Sequence, residues 1–462
     1  LVEYTPSDYS DRTLTLDELE SLRETYEVNN GFKIADIYPL TPMQEGMLFH
    51  SLMDNQSSAY FDQTSYIARG SLDIELMQKS FELLVSKYDI LRTVIVHKNL
   101  DNPRQIVMEE RKGKIAYEDL THLNKEDIDA YTREFEIKDK QNGFNLSEDM
   151  LMKLSVLKIS AQKYKVIWSS HHILTDGWST WILMGDFFEI YSMLKNNKAV
   201  EIIGPTQYVH YINWLQKQKS EKAKLYWNEY LGEYDSSADL PAAFKKATKG
   251  YAAEDLHFTI DKSFTQELAK IAKLSKTTIN TVVQVIWGIL LQKYNNTNDA
   301  VFGSVVSGRN NQIDGIGEMV GLFINLIPVR IKSETNSRFV DLLKETQRNA
   351  LESNKYDYYP LADIQSLTDL KSKLIGHKMT FQNYYIDEKL KNFDFMSELG
   401  YSIEDLNGFE QTNYDFNIKV VPNDEIKITF SYNQNVYDLG TVTNIKNHFI
   451  RILETITENH TI

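Results

Sequence analysis

The chain has 462 residues, 42% of them hydrophobic and 12% aromatic, which is enough apolar surface for sizeable cores and too much for a disordered chain. Its formal charge of −15, with no basic stripe, excludes the usual profile of a nucleic-acid binder. It has no cysteine, which excludes disulfides, cysteine nucleophiles and thiolate metal sites together and suits a reducing, cytoplasmic compartment.

Residues 1–30 are polar and acidic. Thr5-Pro6-Ser7-Asp8 reads as a turn and Leu14 to Tyr26 as a short helix, together a linker entering from an upstream module. No secretory signal opens the chain, and residue 1 is Leu, as expected of a piece cut from a longer polypeptide. A first lobe is expected over residues 31–205. In it Thr41 caps a helix, Pro42 fills the first turn and Gln44 completes a capping box. Tyr60 to Arg69 reads as a strand, and Asp73 caps a helix with Leu76, Met77, Phe81, Leu84 and Tyr88 on one face. Strands follow at Ile90 to His97, around Met152, Leu154 and Val156, and at Tyr164 to Trp168.

A second lobe is expected over residues 206–462. Amphipathic Tyr208 to Gln218 and Lys222 to Leu231, with Trp214 and Trp227 buried, form the passage into it, and Asp235 to Gly250 is loop. Strands are expected at Leu256 to Ile260, Ala300 to Val306, Phe323 to Ile331 and Lys378 to Ile386. A hairpin joins Tyr414–Val421 to Ile426–Tyr432 around Pro422-Asn423-Asp424, and helices are expected at Thr278 to Tyr294, Phe339 to Ser353 and Leu439 to Asn459. The longest apolar runs, Trp181 to Met184 and Val282 to Leu291, are too short for a membrane span, which needs ~20 residues. The class is mixed α/β.

The chemistry concentrates at Ser169-Ser170-His171-His172-Ile173-Leu174-Thr175-Asp176-Gly177-Trp178-Ser179, between a buried strand and a helix that Ser179 is placed to cap. Adjacent side chains at a strand end diverge, so one imidazole faces the fold and the other a cavity. Imidazole is the usual proton carrier near neutrality. Asp176 could orient it, or could anchor the turn by pairing with an arginine, for which Arg309 after a buried strand is the best placed; such a pair would tie lobe to lobe. A metal site competes poorly, because His171 and His172 diverge and His210, His257 and His377 have no telling spacing. No Gly-x-Ser-x-Gly elbow marks a nucleophilic serine, so Ser170 and Ser179 read as hydrogen-bonding or capping residues. Gly315 to Gly321 lacks the dinucleotide spacing and reads as a flexible loop.

The chain resembles a condensation domain of a nonribosomal peptide synthetase almost end to end. His171-His172-Ile173-Leu174-Thr175-Asp176-Gly177 fits the family's His-His-x-x-x-Asp-Gly signature. Leu40 to Met47 resembles its first motif and Lys87 to Thr93 its second, with Tyr88-Asp89 in place of the familiar His-Glu. Tyr208 to Trp214, Gly321 to Arg330 and Asn354 to Pro360 resemble the fourth, fifth and sixth. The resemblance implies a V-shaped, two-lobed fold like that of chloramphenicol acetyltransferase. It implies donor and acceptor peptidyl carrier proteins as partners, an adjacent adenylation domain, and no membrane or nucleic acid. Phosphopantetheine would arrive on the carriers, with no cofactor or metal held by the domain itself. His172 would be the catalytic residue, as base or as positioner. His171, Asp176, Gly177 and Arg309 would support it, and Trp178, Ser179, Ser307 and Asn325 are candidates for a substrate tunnel. Tyr4 to Tyr9 looks like the tail that follows an epimerization domain, and Thr41 to Gly46 resembles the subtype that takes a D-configured donor. The rival readings are an epimerization domain of the same fold and an inactive docking platform.

Overall fold

A computed structural model describes residues 4–53, 59–202, 204–241, 250–309, 312–334, 336–382 and 398–458. The strands run β1 (Ile34–Pro39), β2 (Phe61–Gly70), β3 (Thr93–Val96), β4 (Arg104–Met108), β5 (Ile115–Asp119), β6 (Met152–Ser160), β7 (Lys163–His171), β8 (Ala253–Ile260), β9 (Asp299–Val306), β10 (Asn325–Lys332), β11 (Lys378–Phe381), β12 (Tyr401–Glu410), β13 (Phe416–Val421) and β14 (Ile426–Asn433). The chain divides into two compact units. One gathers the sequence through Gln218, then Arg309–Phe323 and a stretch ending at Gln411; the other gathers Lys219–Gly308 and the stretches opening at Ile324 and Thr412.

In the first unit a five-stranded sheet runs β12-β2-β7-β6-β5, parallel only between β5 and β6, beside a three-stranded sheet β1-β4-β3. Strand β7 is central and buried along most of its length, with Tyr164, Val166 and Trp168 on one face and Ile167 followed by the buried polar Ser169 and His171 on the other. On one face Trp168 meets Phe187 of the helix Gly177–Lys195 and Phe81 of the helix Ile74–Lys87, edge to face at 5.0 and 6.0 Å. On the other, Ile167, Leu157 and Leu120 take the apolar stripe of the helix Lys125–Asn142. Each large apolar side chain buried this way contributes about 1.5–3 kcal/mol. His171 and the turn after it therefore leave the most constrained strand of the unit.

The segment expected as a linker is built into this unit. Tyr9, Leu14, Leu19, Leu22 and Tyr26 are buried against Ile34, Ile37, Val94, Ile106 and Met108, and Asp11 pairs with Arg104 in the interior. The short helix expected over Leu14 to Tyr26 is present as Leu16–Arg23, with a complete Thr15–Glu18 capping box; its polar composition concealed only that Leu19 and Leu22 bury one face. The boundaries also fall differently from 31–205 and 206–462, because later stretches return to the first unit. The clearest is β12, which pairs antiparallel with β2.

In the second unit six strands run β10-β9-β11-β13-β14-β8. Trp287, at the centre of the helix Ile279–Asn295, is fully buried among Phe416, Phe430 and Phe449. The helix lies close on β10 because residue 288 is glycine: a Cβ there would stand 2.3 Å from Ile331 Cγ1. Trp227 is fully buried as expected, whereas Trp214, in the first unit, is half-buried and stacks on Tyr211. Residues 242–249 of the expected loop, and residues 383–386 of the expected strand at Lys378 to Ile386, lie outside the described residues. Among the described residues no single helix is long and apolar enough to cross a membrane.

Candidate active site

The turn after β7 is held almost atom by atom. His171 closes the strand opposite Phe61. The His172 N–H donates to the Tyr60 carbonyl at 2.8 Å, and the Leu174 N–H to the His171 carbonyl at 3.1 Å. His171 is 6% exposed, and its Nδ1 accepts the Ile173 N–H at 3.1 Å. A ring nitrogen that accepts cannot carry the proton, so His171 is the Nε2–H tautomer and donates to Ser51 Oγ at 3.3 Å. Tyr60 and Phe144 pack around the ring. His171 is thus the imidazole that faces the fold. His172, the imidazole expected to face a cavity, is nearly as buried as its neighbour, at 7% exposure, and Asp176 lies four residues on.

Asp176 has the geometry of an anchor. It, and not Ser179, is the N-cap of the helix Gly177–Lys195: Oδ1 accepts the Ser179 N–H at 2.8 Å. Oδ1 also receives Arg309 Nη2 at 3.4 Å, and Oδ2 accepts the Phe323 N–H at 3.1 Å. Arg309 Nη1 donates to the Ile316 and Met319 carbonyls at 2.5 and 3.0 Å, and Nη2 to Ser179 Oγ at 2.9 Å. Burial pulls Arg309 below the usual guanidinium range, and Asp176 opposes that. Arg309 lies in the stretch that returns to the first unit, so the pair is internal to one unit and does not tie two lobes together.

The remaining candidates divide. Gly177 opens the helix, and Trp178 Nε1 donates to the Gly317 carbonyl at 3.0 Å. Ser179 is fully buried, donates to the Gly321 carbonyl at 2.7 Å and accepts the Gly321 N–H, so its hydroxyl is spent inside the unit rather than offered to a tunnel. Asn325 is likewise spent within the second unit: Nδ2 donates to the Asp357 and Tyr359 carbonyls at 2.6 and 2.9 Å. Ser307 is exposed just past β9. Beside the Asn325 clip, burial pushes the Asp357 carboxyl up to about 7. The Gly315–Gly321 stretch is no loose loop, since its carbonyls cradle Arg309 and Trp178. Gly321 itself must be glycine, because a Cβ would sit 2.1 Å from the Tyr208 ring, whose hydroxyl donates to the Leu322 carbonyl. Sequence reading missed the Tyr60 carbonyl, the Phe323 N–H and the Tyr208–Gly321 contact. Among the described residues no group of His, Asp and Glu could hold a metal ion.

Burial holds two histidines neutral, one in each unit: His171 and His377 are both pushed down to about 3. His377 Nε2 accepts the Trp287 N–H at 2.8 Å. An unfolded histidine titrates near ~6.5, so below that pH the unfolded chain binds protons the folded chain refuses. The stability these groups carry is complete above about 6.5 and is lost as pH falls toward about 3, by up to ~1.4 kcal/mol per pH unit for each. Denaturant unfolding at pH 5.5 and 4.5 should show that slope reduced by roughly one proton in His377→Asn and again in the double variant with His171→Asn. An unchanged slope would show that neither ring stays neutral.

Comparison with known proteins gives a concordant result. The family profile described as "Condensation domain" matches residues 34–461. Bacitracin synthase 1 of Bacillus licheniformis is 40% identical over 461 residues, which are 99% of this chain and 9% of that protein. Gramicidin S synthase 2 of Brevibacillus brevis is 40% identical over 429 residues, 92% of this chain and 10% of that protein. The chain thus spans about a tenth of the length of these relatives. A four-domain nonribosomal peptide synthetase solved with AMP and glycine superposes with a TM-score of 0.77 at 17% identity, covering 93% of this chain and 34% of that one, a likeness of fold.

Proposed function

The chain belongs to the condensation-domain family of nonribosomal peptide synthetases, and from that premise we propose that it joins a donor acyl or peptidyl thioester to the amine of an acceptor aminoacyl thioester. Both substrates would be tethered by phosphopantetheine to carrier proteins, with an adenylation domain as neighbour in a multidomain chain. The observation that carries this is the intact signature turn: His172 follows the central strand on a backbone pinned at Tyr60, while Asp176 and Arg309 hold the turn from below. The reaction forms a C–N bond between the acceptor nitrogen and the donor carbonyl, breaks the donor C–S bond, releases the donor thiol and moves one proton from nitrogen to sulfur. Aligning two tethered ends can supply several kcal/mol, up to ~7–11 in ideal models. A free α-amine titrates near ~7.7–8.0, so roughly a tenth is already nucleophilic at neutral pH. His172 therefore has two compatible duties: receiving the ammonium proton of the tetrahedral intermediate, and fixing the amine against the carbonyl.

The donor is D-configured in this reading. Its support is the first motif, Thr41-Pro42-Met43-Gln44-Glu45-Gly46, and the opening Tyr4-Thr5-Pro6-Ser7-Asp8-Tyr9. A panel of D- and L-terminated donor thioesters, run with one L-aminoacyl acceptor, should favour the D series by roughly tenfold or more in kcat/KM. Equal or L-preferring turnover would refute the stereochemistry and leave the amide synthesis standing. Deuterium wash-out from a single carrier-bound aminoacyl thioester, with no amide formed, would point to epimerization instead.

A further inference from the structure

We infer that Gln44 is a positioning residue for His172, acting through the peptide between Ile173 and Leu174. Its helix-capping role accounts for only part of its bonding. Oε1 accepts the Thr41 N–H at 2.8 Å, completing the box in which Thr41 Oγ1 accepts the Gln44 N–H. The fully buried amide then reaches 129 residues along the chain, where Nε2 donates to the Ile173 carbonyl at 2.9 Å. Gln105, on β4 and also fully buried, locks it reciprocally: each amide donates to the other's oxygen at 2.9 Å, and Gln105 Nε2 also reaches the Pro39 carbonyl at 3.0 Å. The orientation of the Gln44 amide is forced, because the Thr41 backbone N–H can only donate and the Ile173 carbonyl can only accept. All four hydrogen-bonding positions of the amide are filled, which leaves it no second rotamer without orphaning a buried group.

The consequence is a clamp. His172 is fixed on its N-terminal side by its own N–H on Tyr60, and on its C-terminal side by the Ile173 carbonyl on Gln44. Nothing else in the capping box requires Gln44 to touch that turn; a glutamate there would cap the helix as well but could not donate when ionised. The choice of an amide is explained by the carbonyl it must hold. Misplacing a reacting group by about 1 Å can cost ~10²-fold in rate, so a bond to the carbonyl of the residue that follows His172 bears on turnover more than on binding.

The role rests on the proposed amide synthesis, and its test has one readout that does not. Gln44→Met keeps the volume and removes the donor. Gln105→Met removes the reciprocal lock and leaves the bond to Ile173. The first should lower kcat by roughly tenfold or more, with KM changed less than about threefold, and should move the pH titration of the His172 ring resonances, assigned by their loss in His172→Ala. The second should lose comparable thermal stability with a several-fold smaller loss of turnover and an unmoved His172 titration. Gln44→Glu serves where the methionine variant folds poorly: its rate relative to wild type should recover as pH falls and the acid regains a proton to donate. Activity lost in proportion to stability in both methionine variants, or an unmoved His172 resonance in Gln44→Met, overturns the proposal. A wild-type protein that makes no amide from any donor in a panel of D- and L-aminoacyl N-acetylcysteamine thioesters refutes the synthesis, while the resonance still decides Gln44.

Discussion

His172→Ala should cut amide formation by about 10²-fold or more while leaving the thermal unfolding of the first unit close to wild type. The structure says why the two effects separate. Two of the bonds that hold the backbone around residue 172, its own N–H on the Tyr60 carbonyl and the Ile173 carbonyl on Gln44, are kept by alanine. The neighbouring ring does the opposite work: His171 holds the Ile173 N–H and Ser51 in the interior, so His171→Ala should lose stability before it loses chemistry. Single-turnover amide formation and a melting curve on both variants check this. A His172→Ala protein that folds and turns over like wild type would remove His172 from the reaction. If acceptor amines of lower pKa close the gap between variant and wild type, proton removal is its larger duty; a constant gap assigns it to alignment.

Much of the site could be read from the sequence because it is local. Strand, turn and helix follow one another within Lys163 to Lys195, and the imidazole expected to face the fold is found there as His171. The N-cap was misplaced by three residues because Asp176 and Ser179 are both good capping types. The carboxylate wins by accepting the Ser179 N–H while also meeting Arg309 and Phe323. The long-range partners were not legible. Nothing in Gly315 to Gly321 announces that its carbonyls hold a guanidinium, and the Thr41–Gln44 capping box looks complete without Ile173.

The fold shows the same division. The helices Ile74–Lys87 and Phe339–Ser353 follow from their one-sided apolar stripes and, in the first, its Asp73 cap. The hairpin of β13 and β14 follows from alternation around its turn. Strand β12 does not, because it has little burial to pattern it: it is an edge strand, largely exposed, with an irregularity between Glu404 and Asn407, and only its pairing with β2 makes it a strand. Helix Lys262–Ser275 is capped by Asp261 but is hard to read in the sequence, because lysines on the exposed face dilute its apolar positions.

Asp176→Ala should fail in folding rather than in chemistry, with a loss of about 3–5 kcal/mol. Removing the carboxylate leaves Arg309 charged in the interior, the costly half of breaking a buried pair. It also strips the N-cap, worth ~1 kcal/mol, and orphans the Phe323 N–H. These losses share one network, so they do not add. Asp176→Asn keeps an acceptor for Ser179 or Phe323 and should fall between alanine and wild type. Arg309→Ala should cost less than Asp176→Ala, because it leaves Asp176 in place to cap the helix and to accept the Ser179 and Phe323 N–H groups. Denaturant unfolding of the four proteins gives the order directly. An Asp176→Ala protein that melts like wild type yet forms no amide would move Asp176 from the scaffold to the reaction, and His172 would then have lost an orienting partner rather than the floor beneath its turn.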